Sequence, residues 1–181
     1  MMTQEEKTMK SERIYEGKVI NLRVDTVELP ERKYSKREIV EHSGAVGIIA
    51  LTEKEEMIFV KQYRKSVEEV LLEIPAGRIE ADEEPEMTAK RELEEETGYI
   101  ANKLTKITEY YTSPGFSNEI LHIYFAEGLS AGVAIPDEDE YIEVTYLYID
   151  EAIKKITKGE IKDSKTINAI LLYKTMIEGK K

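Results

Sequence analysis

The segment from residue 77 to residue 99, GRIEADEEPEMTAKRELEEETGY, constrains the fold more than any other part of the chain. Nine of its 23 residues are acidic and three are basic. Neighbouring carboxylates raise one another's pKa, because each ionised group makes the next one harder to ionise. A folded segment of this composition therefore needs positive charge among its carboxylates, and a bound divalent cation would supply it.

The order of residues in this segment predicts a helix over 85–97. Pro85 suits the first helical turn, where its missing N–H is not needed, and Gly98 suits the left-handed position after a helix. The residues between them are good helix formers and include no glycine or proline.

Three glutamates converge near the carboxyl end of this predicted helix. Glu92 and Glu96 are one turn apart on the same face, and Glu95 lies on a neighbouring edge. The helix dipole disfavours negative charge at this end, so the placement is poor for stability alone. Hard cations prefer oxygen ligands and complete their shells with water and substrate phosphate. We therefore predict a site for Mg²⁺, with Mn²⁺ as a substitute.

The segment resembles the signature of the Nudix hydrolases at every fixed position. Gly77 is followed after five residues by Glu83, and after seven more by the run from 91 to 99. A solvated acidic helix face would explain the charge, but not the joint placement of these residues. The resemblance implies hydrolysis of a nucleoside diphosphate linked to another group.

The remainder of the chain carries mainly strand patterns. Alternating apolar residues predict strands at 14–29, 37–42, 45–52, 57–63, 103–113, 119–128 and 141–149. The first dozen residues are expected to be irregular, and the strands at 45–52 and 57–63 to form a hairpin. Mixed strands and helices indicate a layered α/β domain. The resemblance implies a Nudix-type α/β/α sandwich with a mixed β-sheet.

Two further helices are predicted near the carboxyl end of the chain. Asp150 is expected to cap a short helix that Gly159 ends, and Asp163 or Ser164 to cap a final amphipathic helix. The buried side of that last helix is predicted to carry Ile167, Ile170, Leu171 and Met176.

The chain is predicted to have two parts, a β-rich extension at 1–43 and a Nudix domain at 44–181. In the resembling family such an extension helps to build a homodimer. A net charge of −11 argues against nucleic acid as a partner, although a metal can reverse the local field for a small phosphorylated substrate. With no cysteine and no long apolar run, the chain is predicted to be cytoplasmic, without a membrane segment.

Residues outside the signature resemble the ADP-ribose pyrophosphatase branch of the family. These are VKQYR at 60–64 leading into EIPAG at 73–77, Pro114 sixteen residues beyond Gly98, and the acidic loop at 136–140. The resemblance implies hydrolysis of ADP-ribose to AMP and ribose 5-phosphate. Alternatives are a sugar nucleotide such as GDP-mannose, NADH, a diadenosine polyphosphate, or a protein that only senses nucleotides or serves as a scaffold.

The resemblance also implies roles for individual residues. The implied metal ligands are Glu92, Glu95, Glu96, Glu140 and the carbonyl of Ala76. The candidates for substrate binding are Arg64, Arg37, Glu73 and Arg78. Arg64 is expected to grip the diphosphate, because a guanidinium matches phosphate oxygens in pairs, and a surface salt bridge is the alternative.

The general base is implied to be Glu138, with Glu95 or Glu96 as the alternative. Glu83 and Arg91 are interpreted as an ion pair that braces the segment. Two aromatic residues and two histidines lie outside these sets. Phe116 or Tyr15 could stack on adenine, although such residues are more often core, and no catalytic role is assigned to His42 or His122.

Overall fold

The computed structural model describes residues 5–135 and 140–179. Its strands are β1 Lys7–Glu16, β2 Asn21–Leu29, β3 Lys33–Glu41, β4 Ala45–Ala50, β5 Met57–Arg64, β6 Glu69–Glu73, β7 Ala76–Arg78, β8 Tyr99–Tyr111, β9 Ile120–Ala131 and β10 Ile142–Leu147. Its helices are α1 Pro85–Thr97, α2 Ile149–Thr157 and α3 Ser164–Glu178. None of the helices in the described residues is both long and apolar enough to cross a membrane.

Close contacts divide the chain into two compact units. The first unit ends at Gly44 and also includes Tyr110–Ile120, while the second contains Ala45–Glu109 and the chain from Leu121 onward. The domain division at residues 43 and 44 stays a prediction. Residues 110–120, which sequence reasoning placed in the second part, belong to the first unit by these contacts.

The first unit is built on the antiparallel sheet β1-β2-β3. Strand β1 is exposed along its whole length and begins at Lys7. The predicted single strand at 14–29 is therefore wrong, and so is the irregular conformation predicted for residues 7–12. A turn closed by the Gly17 N–H on the Ile20 carbonyl (3.1 Å) separates β1 from β2. The chain direction reverses there, which an alternating apolar pattern does not reveal.

The second unit contains two sheets. One has the order β7-β4-β9-β8 and is mixed, because β4 runs parallel to β9 and antiparallel to β7. The other is antiparallel, with the order β10-β5-β6. The predicted hairpin of β4 with β5 is wrong, since these strands lie in different sheets and share only the isolated bridge between Leu51 and Met57. The α/β fold class is confirmed.

Strand β4 lies at the centre of this unit and is buried on both faces, as its unbroken apolar sequence favours. Helices α1 and α3 both contact it. Ala89 and Leu93 of α1 belong to a buried cluster with Val46 and Ile48 of β4. Full burial of one leucine stabilises the folded state by about 1.5–3 kcal/mol. This packing therefore fixes which face of α1 points away from the core.

The two carboxyl-terminal helices agree in part with the predictions made from the sequence. Asp163 caps α3 and accepts a hydrogen bond from the Thr166 N–H at 2.9 Å, as predicted. Asp150 is not a cap, because α2 begins one residue earlier and Asp150 lies in its first turn. Leu171 is 49 % exposed and so does not belong to the buried side of α3.

Candidate active site

Helix α1 has the predicted limits and presents the predicted glutamates. It begins at Pro85 and ends at Thr97, and the next residue, Gly98, has a φ of 70°, the left-handed conformation that glycine adopts without strain. Glu96 is only 5 % exposed, and its Oε2 accepts a hydrogen bond from the Ala76 N–H at 3.0 Å. This bond attaches the last turn of α1 to β7.

The carboxylate of Glu92 packs directly against Gly77. A Cβ atom at position 77 would lie 1.9 Å from Cδ and from Oε1 of Glu92. Gly77 lies in β7 and is not among the residues with positive φ. Glycine is therefore required at this position by the close approach of Glu92.

Arg91 binds three glutamates at once. Its Nε and Nη2 donate to the two oxygens of Glu83 at 3.1 and 3.0 Å, which confirms the predicted ion pair. Its Nη1 also donates to Glu92 Oε1 at 2.8 Å and to Glu95 Oε2 at 2.9 Å. Sequence reasoning missed these two contacts, although the spacing of four residues between Arg91 and Glu95 permits one of them.

The carboxylates of Glu92, Glu96 and Glu140 influence one another electrostatically. Burial, with further contributions from Glu92 and Glu140, raises the pKa of Glu96 to about 8 despite the hydrogen bond from Ala76. Burial also raises the pKa of Glu92, and Arg91 offsets only part of the effect. The three carboxylates therefore have too little positive charge around them, which is expected of a cation site without its ion.

Neighbouring atoms fit a cation site of this kind. Gln62 donates its Nε2 to Glu140 at 3.1 Å, and its buried Oε1 has no hydrogen-bond partner among the described residues. Within residues 5–135 and 140–179, no three acidic or histidine side chains already have the arrangement of a metal centre. Glu92 Oε1 and Glu95 Oε2 bind Arg91, whereas the second oxygen of each carboxylate takes no part in these two bonds.

Arg64 forms a bidentate pair with Glu73. Its Nε and Nη2 donate to the two carboxylate oxygens at 2.8 and 2.7 Å. Glu73 is 1 % exposed and the Arg64 side chain is 36 % exposed, so the pair joins a buried carboxylate to a partly exposed guanidinium. Any role of Glu73 toward substrate would act through its ion-pair partners. The prediction that Arg64 binds substrate stays open, and so does the alternative that Arg64 only forms a salt bridge.

The other predicted site residues are distributed as follows. Glu138 lies outside the described residues, whereas Glu140 follows directly on that segment. Arg78 lies at the exposed end of β7, and its carbonyl is 3.5 Å from Nη2 of Arg91. Arg37 belongs to the first unit, where its guanidinium binds Glu6 at 2.9 and 2.5 Å.

The aromatic candidates are not core residues. Phe116 and Tyr15 are both more than half exposed, and both belong to the first unit. Each histidine has a near neighbour at Nδ1, and the absence of a catalytic role stays a prediction. Nδ1 of His42 accepts from the Gly44 N–H at 3.0 Å, and Nδ1 of His122 lies 3.0 Å from Glu109.

Comparison with known proteins identifies the family. The model of the NUDIX domain matches residues 41–170, and that of the nucleoside diphosphate sugar hydrolase N-terminal domain matches residues 6–40. The chain belongs to the Nudix family. Nudix hydrolases generally use divalent metal ions, which agrees with the electrostatics of the site.

Relatives in two Bacillus species resemble this Nudix protein over nearly its whole length. The ADP-ribose pyrophosphatase of Bacillus subtilis is 54 % identical over 172 residues, 94 % of this chain and 93 % of the relative. The methanol dehydrogenase activator of Bacillus methanolicus is 49 % identical, covering 92 % of this chain and 91 % of that one. A solved ADP compounds hydrolase has the same fold, with a TM-score of 0.87 and 19 % identity, covering 99 % and 98 %.

Removing Arg91 is expected to destabilise this Nudix domain. Arg91→Met leaves Glu83, Glu92 and Glu95 without their shared counter-charge, so the free energy of unfolding should fall by about 2–3 kcal/mol. Added Mg²⁺ should reduce the deficit, because a bound cation replaces part of the lost charge. Denaturant unfolding with and without Mg²⁺ measures both effects.

Lys90→Met is the matched control on the same helix. Among the residues that the structure describes, the ion pair of Lys90 is the exposed one with Glu86 at 2.9 Å, so its loss should cost at most about 0.5 kcal/mol. A loss of stability in Arg91→Met no larger than in this control would show that the three-glutamate contact is not important for folding.

Proposed function

We propose that this Nudix hydrolase cleaves the pyrophosphate bond of ADP-ribose, giving AMP and ribose 5-phosphate, in a Mg²⁺-dependent reaction. The observation that carries the hydrolytic site is the group of coupled carboxylates Glu92, Glu96 and Glu140. Support for ADP-ribose comes from the residues outside the signature and from the 54 % identical relative with that activity in its name.

The chain offers a set of oxygen ligands for the metal. Glu92, Glu96 and Glu140 would hold it, with Glu95 and the Ala76 carbonyl completing the set. When bound, Mg²⁺ neutralises the diphosphate and lowers the pKa of a coordinated water. Arg91 contributes by fixing the orientation of Glu92 and Glu95. Arg64 would bind a pair of phosphate oxygens through the edge of its guanidinium that Glu73 leaves open.

Glu138 is proposed to accept the proton of the attacking water. Water adds to one phosphorus, the bond from that phosphorus to the bridging oxygen breaks, and the proton passes through the carboxylate to the departing phosphate. The described neighbours of this loop support the proposal. The Ile135 N–H donates to the Glu95 carbonyl at 3.1 Å. Glu140 accepts from Gln62, and its charge acts on Glu92 and Glu96 of α1.

Two properties of the whole protein belong to the same proposal. The enzyme is proposed to act in the cytoplasm, because its sequence has no cysteine and no long apolar run. It is proposed to work as a homodimer built with the help of the β-rich first unit. Size measurement in solution tests the second point, and a monomer that retains full activity would reject it.

A substrate panel tests the proposed reaction. ADP-ribose, GDP-mannose, NADH and a diadenosine polyphosphate are each incubated with the protein and Mg²⁺, and the products are identified. ADP-ribose is expected to have the highest kcat/KM. A tenfold advantage for GDP-mannose would overturn the assignment, although it corresponds to only about 1.4 kcal/mol. No Mg²⁺-dependent hydrolysis of any compound would favour a nucleotide sensor or a scaffold.

A further inference from the structure

Lys165, in the first turn of α3, lies at the buried end of the pair between Arg64 and Glu73. Its Nζ binds Oε2 of Glu73, the same oxygen that accepts from Nη2 of Arg64, and it also lies 3.2 Å from Oδ2 of Asp163. Only 16 % of the Lys165 side chain is exposed. This contact could not be predicted from local spacing, because Lys165 and Glu73 are 92 residues apart.

The carboxylate of Glu73 is held by two cations in a buried position. Burial by itself would raise its pKa, but the hydrogen bonds and charges of Arg64 and Lys165 outweigh burial and leave the pKa below its usual range. A buried carboxylate is costly unless it is paired, so Glu73 stays ionised only while these partners remain. Both oxygens are bonded, and the group has little freedom to rotate.

A second contact attaches the same strand end to the start of α3. The Thr166 hydroxyl accepts from the Ile74 N–H at 2.8 Å and donates to Oδ2 of Asp163 at 2.6 Å. Residues 73 and 74 are therefore fixed to the first turn of α3. Gly77, against which Glu92 packs, follows three residues later.

Arg64 connects this cluster with the acidic site. Its guanidinium uses Nε and Nη2 for Glu73, and Nη1 takes no part in that pair. The side chain is about one third exposed, and its charge interacts with that of Glu96. Since a bidentate pair fixes the plane of a guanidinium, the orientation of Arg64 depends on how firmly Glu73 is held.

We propose that Lys165 is a positioning residue for substrate binding, and that it acts through Glu73 on the guanidinium of Arg64. This inference rests on the proposed function, in which Arg64 binds the diphosphate. Loss of Lys165 loosens Glu73 and hence Arg64, which weakens binding of substrate and transition state alike. Such a change raises KM and leaves kcat nearly constant.

The experiment compares Lys165→Met, Lys165→Arg and Lys162→Met in the full-length protein, with ADP-ribose and Mg²⁺. Lys162 forms an exposed ion pair with Glu69 at 2.6 Å and serves as the matched control. Lys165→Met should raise KM about fivefold to tenfold with kcat within about twofold of wild type. Lys165→Arg should restore most of the affinity, because it can still bind Glu73. Lys162→Met should match wild type.

A second measurement separates positioning from general stability. In the background of Arg64→Met, adding Lys165→Met should change KM by less than twofold, because the residue that it positions is already absent. A KM for Lys165→Met equal to that of Lys162→Met, or a full effect without Arg64, would overturn the inference. If Lys165→Met does not fold, as its melting temperature would show, Lys165→Gln is measured in its place with the same criteria.

Failure of the proposed function gives a different result. Wild-type protein would then not hydrolyse ADP-ribose, whatever the variants do. In that case the same variants are compared with the panel compound that is hydrolysed. Unchanged KM values in Lys165→Met would still reject the inference.

Discussion

Replacing Glu96 with glutamine is expected to lower kcat by about 10³-fold or more while leaving the fold intact. Glu96 is a predicted metal ligand and an alternative general base, and a neutral amide performs neither function well. The side chain is 5 % exposed, so the loss of activity does not come from a surface change. Steady-state hydrolysis of ADP-ribose with Mg²⁺ measures the effect.

The same substitution should not lower the melting temperature. Glutamine has nearly the shape of glutamate, and its Oε1 can still accept the hydrogen bond from the Ala76 N–H. Burial raises the pKa of Glu96, so this position already favours an uncharged side chain, and the neutral amide suits it. Glu94→Gln on the same helix is the control and should retain activity. Full activity in Glu96→Gln would overturn the assignment of the site.

Gly77→Ala is expected to reduce kcat/KM by about 10²-fold or more. The new Cβ would lie 1.9 Å from two atoms of the Glu92 carboxylate, so this group must move by an ångström or more. Displacements of that size in a catalytic group cost about 10²-fold in rate. Kinetics at saturating Mg²⁺ measure the loss in kcat/KM. Titration of the activity with Mg²⁺ should show a weaker apparent affinity for the metal.

Gly132→Ala provides a control of the same chemical size. A Cβ at position 132 would approach Oε1 of Glu94 and the end of the Ile100 side chain at 2.9 Å, and both can rotate away. We expect normal activity in this variant. If Gly77→Ala were as active as Gly132→Ala, the contact between Gly77 and Glu92 would not be important for catalysis.

Local spacing carried most of what could be predicted. The helix from Pro85 to Thr97 was predicted from residues a few positions apart, and it is present. The same holds for the ion pair between Glu83 and Arg91. Predictions of which strands pair with each other were less accurate. Strands β4 and β5 were expected to form a hairpin because they are adjacent in sequence, yet β4 is paired with β7 and β9, and β5 with β6 and β10.

The sequence by itself determined the family, the limits of α1 and the face on which its glutamates lie. Helical geometry converts a spacing of three or four residues into contact, so these features need no knowledge of the rest of the chain. The tertiary structure decided why position 77 is glycine, and that Arg91 binds three carboxylates. It also decided that Lys165 and Arg64 share Glu73. These contacts join separate elements, and the packing of the whole core brings them together.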